Sequence, residues 1–202
     1  TKRMVVLGDF RQLQPICIAK SEMALKRIAK TIYREAGIVD DDERVRLKDP
    51  RLVPLRKQYR MHEKVGELVN QLVYREDGNA LEHHAAETDT NPGRLACPEP
   101  EHPIVLCDTT SANPWCAREP GHSHYNIYSA VTALRLAQQA IESAQGSKIG
   151  VGVICPYVAQ ARLLNALVRE RGLTDRVKVA TVHRFQGNEK DVIIVDLVDG
   201  PP

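Results

Sequence analysis

An α/β fold arranged as a three-layer parallel sheet is the architecture this sequence predicts. Three observations point to it: short apolar runs that end in polar loops, amphipathic helical stretches alternating with those runs in the C-terminal part, and glycines where the helices must stop. With 202 residues and 43% hydrophobic content, the chain can bury one respectable core and a small satellite.

Taken in order, residues 4–7 (Met4, Val5, Val6, Leu7) read as a buried parallel strand opening into the polar loop Gly8-Asp9. Residues 21–36 space Met23, Leu25, Ile28, Ile32 and Tyr33 helically and stop at Gly37. An acidic loop follows at 40–43. Residues 62–74 carry a second amphipathic face of Val65, Leu68, Val69, Leu72 and Val73. Residues 77–103 read mainly as surface loop, with His83 and His84 solvated. Residues 103–108 read as a strand, and Ser123 as the N-cap of a helix reaching Ser143, with Ile127, Val131, Leu134 and Ile141 inward. Residues 149–155 form an apolar strand. Pro156 and Tyr157 lead into a helix with Ala161, Leu164, Leu167 and Val168 inward, ending at Gly172. Residues 177–180 and 192–198 supply two more strands, so the alternation implies right-handed crossovers and a sheet covered on both faces.

Composition excludes several classes. No apolar run is long enough to span a bilayer and no secretory pattern opens the sequence, which predicts a cytoplasmic protein with no membrane partner. The five cysteines are odd in number and widely spaced, as reduced thiols are. A formal net charge of +2 leaves any nucleic-acid contact to a local groove.

Chemistry concentrates in four stretches at strand ends. In residues 8–15, Asp9 and Gln12 place an acceptor and an amide near a phosphate or a water, although a polar turn alone has the same composition. In residues 55–62, Tyr59 adjoins Arg60, a planar ring beside a guanidinium able to clamp phosphate oxygens, where a basic helix entry is the plain alternative. Residues 153–160 deliver Pro156, Tyr157 and a helix N-terminus to a sheet edge, a place suited to a backbone phosphate. Residues 179–191 pack Thr181, His183, Arg184, Gln186 and Glu189 around Gly187, more polarity than a connection needs.

Together these stretches resemble superfamily 1 helicases, in the 1B branch that includes the nonsense-mediated decay RNA helicase and its bacterial relatives. The carriers are Gly8-Asp9 with Gln12-Leu13 and Pro15 (motif III), Gln58-Tyr59-Arg60-Met61-His62, Pro156-Tyr157 with Gln160 (motif IV or its neighbour), and Thr181-Val182 with Phe185-Gln186-Gly187, Glu189-Lys190-Asp191 (motif V). The resemblance implies a RecA-like second motor domain, with residues 1–20 ending the first RecA-like domain, 21–54 a helical connector, and 55–202 the second domain, incomplete at its C-terminus. It implies ATP with Mg2+ as the nucleotide of the complete protein, and single-stranded DNA or RNA and the first RecA-like domain as partners. Gln12 would sense the γ-phosphate and Arg60 would act as an arginine finger. Asp9, Tyr59, Gly187 and Glu189 would hold the nucleotide, Tyr59 by packing on its base. Pro156, Tyr157, Thr181 and His183 would face the strand. Phosphoryl transfer is catalysed mostly by positioned charge, so a guanidinium supplied across a domain cleft makes hydrolysis depend on closure.

The sequence departs from the pattern in places. It contains no GxxxxGK[ST] loop, no Asp-Glu magnesium site and no motif VI arginine, so the chain is expected not to hydrolyse ATP by itself. Cys155 stands where the family carries threonine, which removes a hydroxyl able to bond a phosphate, and residues 196–199 follow motif V where a serine is common and are assigned no role. Zinc on Cys97, Cys107 and Cys116 with His122 or His124 lacks a short Cys-x-x-Cys hook, so no metal site is assigned. Asp108 has no second carboxylate at a nuclease spacing. The rival to a motor segment is a binding or regulatory module that keeps the sheet without the motor.

Overall fold

The computed structural model describes residues 3–14, 16–27, 30–40, 48–75, 78–84, 102–144 and 148–200. The chain divides into two compact units, Thr1–Asp89 and Thr90–Pro202.

In the first unit the elements are short. Helices α1 (Glu22–Arg27) and α2 (Ile32–Glu35) replace the single helix expected over 21–36. Thr31 is the reason for a new start: its hydroxyl accepts the Arg34 N–H at 3.3 Å and caps α2. Gly37, at φ 68°, ends α2 in the left-handed region that glycine adopts freely. Strand β1 (Lys57–Gln58) is followed by α3 (Glu63–Val69), which runs on as a π-helical turn, Asn70–Tyr74, before β2 (Glu82–His83) pairs parallel with β1.

The apolar face expected on residues 62–74 is only partly covered, with Leu68 and Leu72 exposed. Gly66 and Asn70 are the buried residues instead. A Cβ on Gly66 would stand 2.2 Å from Cε1 of His83, so this helix approaches β2 as only glycine permits. Asn70 completes the attachment, donating to the Leu81 carbonyl at 3.0 Å and accepting its N–H at 2.7 Å.

The strand expected at residues 4–7 does not form; Val5 and Leu7 are exposed and no ladder partner is present among the described residues. Apolar content makes a segment fit to be a strand, but the hydrogen bonds that make it one come from a neighbour. Residues 103–108 fail as a strand for the same reason, with Leu106 exposed.

The second unit holds the principal sheet. Its elements are β3 (Ala117–Arg118) and β4 (His124–Tyr125), an antiparallel pair, then α4 (Ile127–Ser143), β5 (Val151–Cys155), α5 (Val158–Glu170), β6 (Val177–Thr181), α6 (Val182–Phe185) and β7 (Val192–Val195). The last three strands form a parallel sheet in the order β6-β5-β7, with Val153 opposite Val179 on one side and Ile194 on the other. Val151, Val153 and Cys155 pack with Val177 and Val179 against Ala130, Ala133, Leu134, Ala137 and Ala140 of α4 and Ala161, Leu164 and Val168 of α5. Small alanines let α4 lie close to both the sheet and α5. The inward face of α4 is therefore this alanine stripe and Leu134, while Ile127 and Val131, expected inward, are about half exposed.

Gly152, between Val151 and Val153, faces the opposite side, where an added Cβ would lie 2.4 Å from the Phe185 ring. The β5-α5-β6 and β6-α6-β7 connections thus cover opposite faces, as right-handed crossovers moving first one way and then the other across a sheet require. Cover on the second face is thinner than expected: Ile193 and Val195 of β7 are exposed there.

Capping also differs from expectation. Asn126, not Ser123, caps α4 by accepting the Ser129 N–H at 3.0 Å. Ser123 instead accepts the Ala159 N–H at 2.9 Å, closing the first turn of α5, whose own N-cap Tyr157 makes no side-chain capping bond. Gly172, at φ 66°, ends α5 as its position predicts. No helix among the described residues is long and apolar enough to cross a membrane.

Candidate functional site

In the first unit the loop after Gly8 is organised by Asp9. One carboxylate oxygen accepts the Arg11 N–H at 2.9 Å; the other accepts the Gln12 side-chain amide at 3.2 Å and the Tyr74 hydroxyl at 2.5 Å. Burial, then the bond to Asp9, pushes the Tyr74 phenol well above its ordinary range. Gln12 is thereby presented at a cleft of about 250 Å³ that Arg11, Gln14, Thr31 and Arg34 also line.

Gln58 builds the second group. Its carbonyl oxygen accepts the Arg60 and Met61 N–H groups at 3.0 and 2.7 Å, and its amide donates to the Met61 carbonyl at 2.9 Å and to Nδ1 of His83 at 2.5 Å. The turn carrying Tyr59 and Arg60 is therefore wound around one side chain. Tyr59 is half exposed and its ring lies against His84, centroids 5.0 Å apart at 37°. The expectation that His83 and His84 are solvated surface is overturned: both are partly buried, one bonded to Gln58 and packed on Gly66, the other against Tyr59. Parallel pairing of β2 with β1 puts them there, and neither periodicity nor composition announced a two-residue strand inside a polar stretch.

In the second unit, register places Cys155 opposite Thr181. Pro156, Tyr157, Thr181 and His183 are accordingly brought to one edge of the sheet, beyond the carboxyl ends of β5 and β6. The segment around Gly187 and Glu189 returns to the other end. There Lys178, near the start of β6, donates to Asn188, and Asp191 accepts the Gly150 N–H at 2.7 Å just before β5. Gly187, at φ 79°, makes the turn between the two places. His183 and Glu189 are exposed and Thr181 is partly buried.

Tyr157 is held from two sides. Its ring stacks on His124, centroids 4.6 Å apart at 30°, and its hydroxyl donates to Asp199 at 2.7 Å. Arg118 Nε–H can only donate, and it meets Nε2 of His124 at 2.9 Å; Nε2 must accept, so neutral His124 carries its proton on Nδ1, 2.8 Å from the other Asp199 oxygen. Hydrogen bonds from His124 and then Tyr157 hold the Asp199 carboxyl below its usual range, and the bond to Asp199 raises the Tyr157 phenol. Of the thiol–imidazole set weighed for zinc, Cys116 and His124 do meet, with Asp199, within 4.8 Å. In this tautomer Nδ1 offers Asp199 a proton rather than a metal a lone pair, and burial keeps the Cys116 thiol up. Cys97 lies outside the described residues; Cys107 is exposed.

Beneath this edge lies a buried polar network that the sequence did not announce. Gln160 is fully buried; the two N–H groups of its amide are shared among Asp196 at 2.6 Å, Ser129 at 3.0 Å and the Asn126 carbonyl at 3.1 Å, and its oxygen accepts the Asn126 N–H at 2.8 Å. Asp196 also accepts the Val198 N–H at 3.0 Å, and Asn126 donates to the Val198 carbonyl at 3.1 Å. These bonds hold Val198 at φ 70°, a left-handed conformation that a β-branched residue adopts only under constraint, and the turn aims Asp199 at Tyr157. The one available signal was an aspartate directly after the apolar run Val192–Val195. Cys155 is buried in the core, its thiol bonded to the Tyr157 carbonyl at 3.6 Å and pushed up to about 11, by burial first and Asp196 second.

A parallel sheet covered by helices, with polar side chains gathered at its carboxyl edge, defines an α/β domain. Residues 42–200 match the AAA domain family, and the chain belongs to it. That family has a RecA-like P-loop fold, of which β6-β5-β7 and their helices are the portion described. The chain is 26% identical to the DNA replication ATP-dependent helicase/nuclease DNA2 of Bos taurus, over 98% of this chain and 19% of that protein. It is 25% identical to regulator of nonsense transcripts 1 of Dictyostelium discoideum (98% and 14%) and 27% identical to an uncharacterized ATP-dependent helicase of Methanocaldococcus jannaschii (98% and 28%). The chain thus spans no more than 28% of the length of any of these three relatives.

Proposed function

We propose that this chain is part of an ATP-dependent nucleic-acid helicase of superfamily 1 and contributes its second RecA-like motor domain. The observation that carries the reading is the convergence of Pro156, Tyr157, Thr181 and His183 on one edge of a parallel sheet, in a chain belonging to the AAA domain family and related to proteins named as helicases. A strand of DNA or RNA bound along that edge meets a ring, a proline, a hydroxyl and an imidazole, groups suited to a backbone and stacked bases irrespective of sequence. Gly187 and Glu189, at the other end of the same connection, face the nucleotide in this reading.

In the first unit Gln12 reports on the γ-phosphate, with Asp9 setting its side chain. Tyr59 packs on the base, and Arg60 stabilises charge developing in phosphoryl transfer. ATP with Mg2+ is the nucleotide. Asp9 binds at the nucleotide in this reading, and the bonds it accepts from Arg11, Gln12 and Tyr74 set the loop. Residues 1–20 belong in this reading to the first RecA-like domain, 21–54 to a connector and 55–202 to the second domain, acting in the cytoplasm.

The test is ATP hydrolysis and duplex unwinding by the full-length parent, with and without single strands, beside the same assays on residues 1–202. Strand-stimulated hydrolysis by the parent and none by the isolated chain is expected. A parent that binds strands without hydrolysing ATP replaces the motor with a binding module, and stimulated turnover by the isolated chain overturns its dependence on other segments.

A further inference from the structure

We propose that His84 is a positioning residue for the nucleotide base: it backs the ring of Tyr59 and leaves the other face of that ring for stacking. The inference rests on the reading of Tyr59 as the base-packing side chain. Parallel pairing sets Gln58 against His83, and the His84 N–H reaches the Gln58 carbonyl at 3.4 Å, so the residues after each partner, Tyr59 and His84, emerge side by side. Their rings meet at 5.0 Å and 37°, within the range of favourable aromatic pairs.

The two-residue strand that ends just before His84 is anchored through His83. His83 is bonded to Gln58 at 2.5 Å and lies over Gly66, where any larger residue would displace it. Gln58 in turn winds the turn that carries Tyr59 and Arg60. Tyr59 is 50% exposed, so a single unsupported ring there would sample several rotamers, and a base stacking on it would have to halt that motion at the moment of binding. With His84 behind it the ring is held before the base arrives. The contribution is to ground-state and transition-state binding alike, so it belongs to KM rather than to kcat.

The experiment is steady-state hydrolysis by the full-length parent at saturating single strand, with His84→Ala, His84→Phe, Tyr59→Ala and the unaltered protein. Inorganic tripolyphosphate serves as a competitor without a base. His84→Ala is expected to raise KM for ATP roughly two- to tenfold, the range of one aromatic pair, with kcat nearly unchanged. His84→Phe keeps a ring behind Tyr59 and is expected to keep KM near that of the unaltered protein. Inhibition by tripolyphosphate should be the same in all. An unchanged KM in His84→Ala, a raised KM in His84→Phe, or tripolyphosphate binding weakened in step with ATP overturns the proposal. Should Tyr59→Ala leave KM for ATP unchanged, the base-packing reading itself falls; should Tyr59→Ala raise it while His84→Ala does not, only the present inference falls.

Discussion

Replacement of Gln160 by alanine tests whether the network under the strand-facing edge holds the second unit together. The side chain is fully buried, accepts the Asn126 N–H and shares its two amide hydrogens among Asp196, Ser129 and the Asn126 carbonyl. Alanine leaves the Asn126 N–H without an acceptor, at about 1–3 kcal/mol, and removes a 2.6 Å donor from a buried carboxylate, at about 1.5–3 kcal/mol more. Partial relaxation and water entry offset some of this, so a loss of about 3–5 kcal/mol is expected, large against the roughly 5–15 kcal/mol that stabilises a domain. Gln160→Glu should be no better, because it sets a second carboxylate against Asp196. Arg162→Ala is the control, removing an exposed 3.4 Å ion pair with Glu119 that is worth about 0–1 kcal/mol. Urea unfolding followed by circular dichroism and by Trp115, the chain's only tryptophan, gives the difference. A loss below about 1 kcal/mol for Gln160→Ala would refute the reasoning, since it would mean that the buried groups find other partners at little cost.

Three further outcomes are expected. In the full-length parent, Arg60→Ala should lower kcat on the order of 10³- to 10⁵-fold with little change in nucleotide-free strand affinity, and Arg60→Lys should rescue little because an ammonium lacks the planar fork; near-normal turnover in either would remove Arg60 from the finger role. Asp199→Asn should lower the melting temperature at neutral pH. The folded pKa of Asp199 is depressed by His124 and Tyr157, so its contribution is present above the ordinary carboxylate range and lost as pH falls through the folded value; the gap between variant and parent chain should close on acidification, and a gap independent of pH counts against the assignment. Under native conditions near neutral pH, iodoacetamide should modify exposed Cys107 well before Cys155, whose thiol is buried and raised to about 11, and equal labelling rates would place Cys155 wrongly.

Most of what could be read without coordinates was local. The strands around Val151 and Val177 and the helix after Tyr157 were legible because each apolar run ends in its own punctuation, down to Gly172 at φ 66°, whereas the strand expected over 192–198 stops at Val195 because Asp196 accepts the Val198 N–H and turns the chain. The resemblance to superfamily 1 helicases rested on side-chain order at the loops, which needs no packing to be recognised. Whatever depended on a partner distant in sequence was decided by the tertiary structure alone. Residues 4–7 and 103–108 have strand composition and no strand, because a ladder needs a neighbour. Ser123 has the chemistry of an N-cap and caps a different helix, because the Ala159 N–H is brought to it across the fold. His83 and His84 sit in a polar stretch and yet brace Gln58 and Tyr59, because two residues of parallel pairing, some 25 positions apart, place them there. A sequence shows what each side chain is able to do; burial, register and the orphaned donors of other elements determine which of those abilities is used.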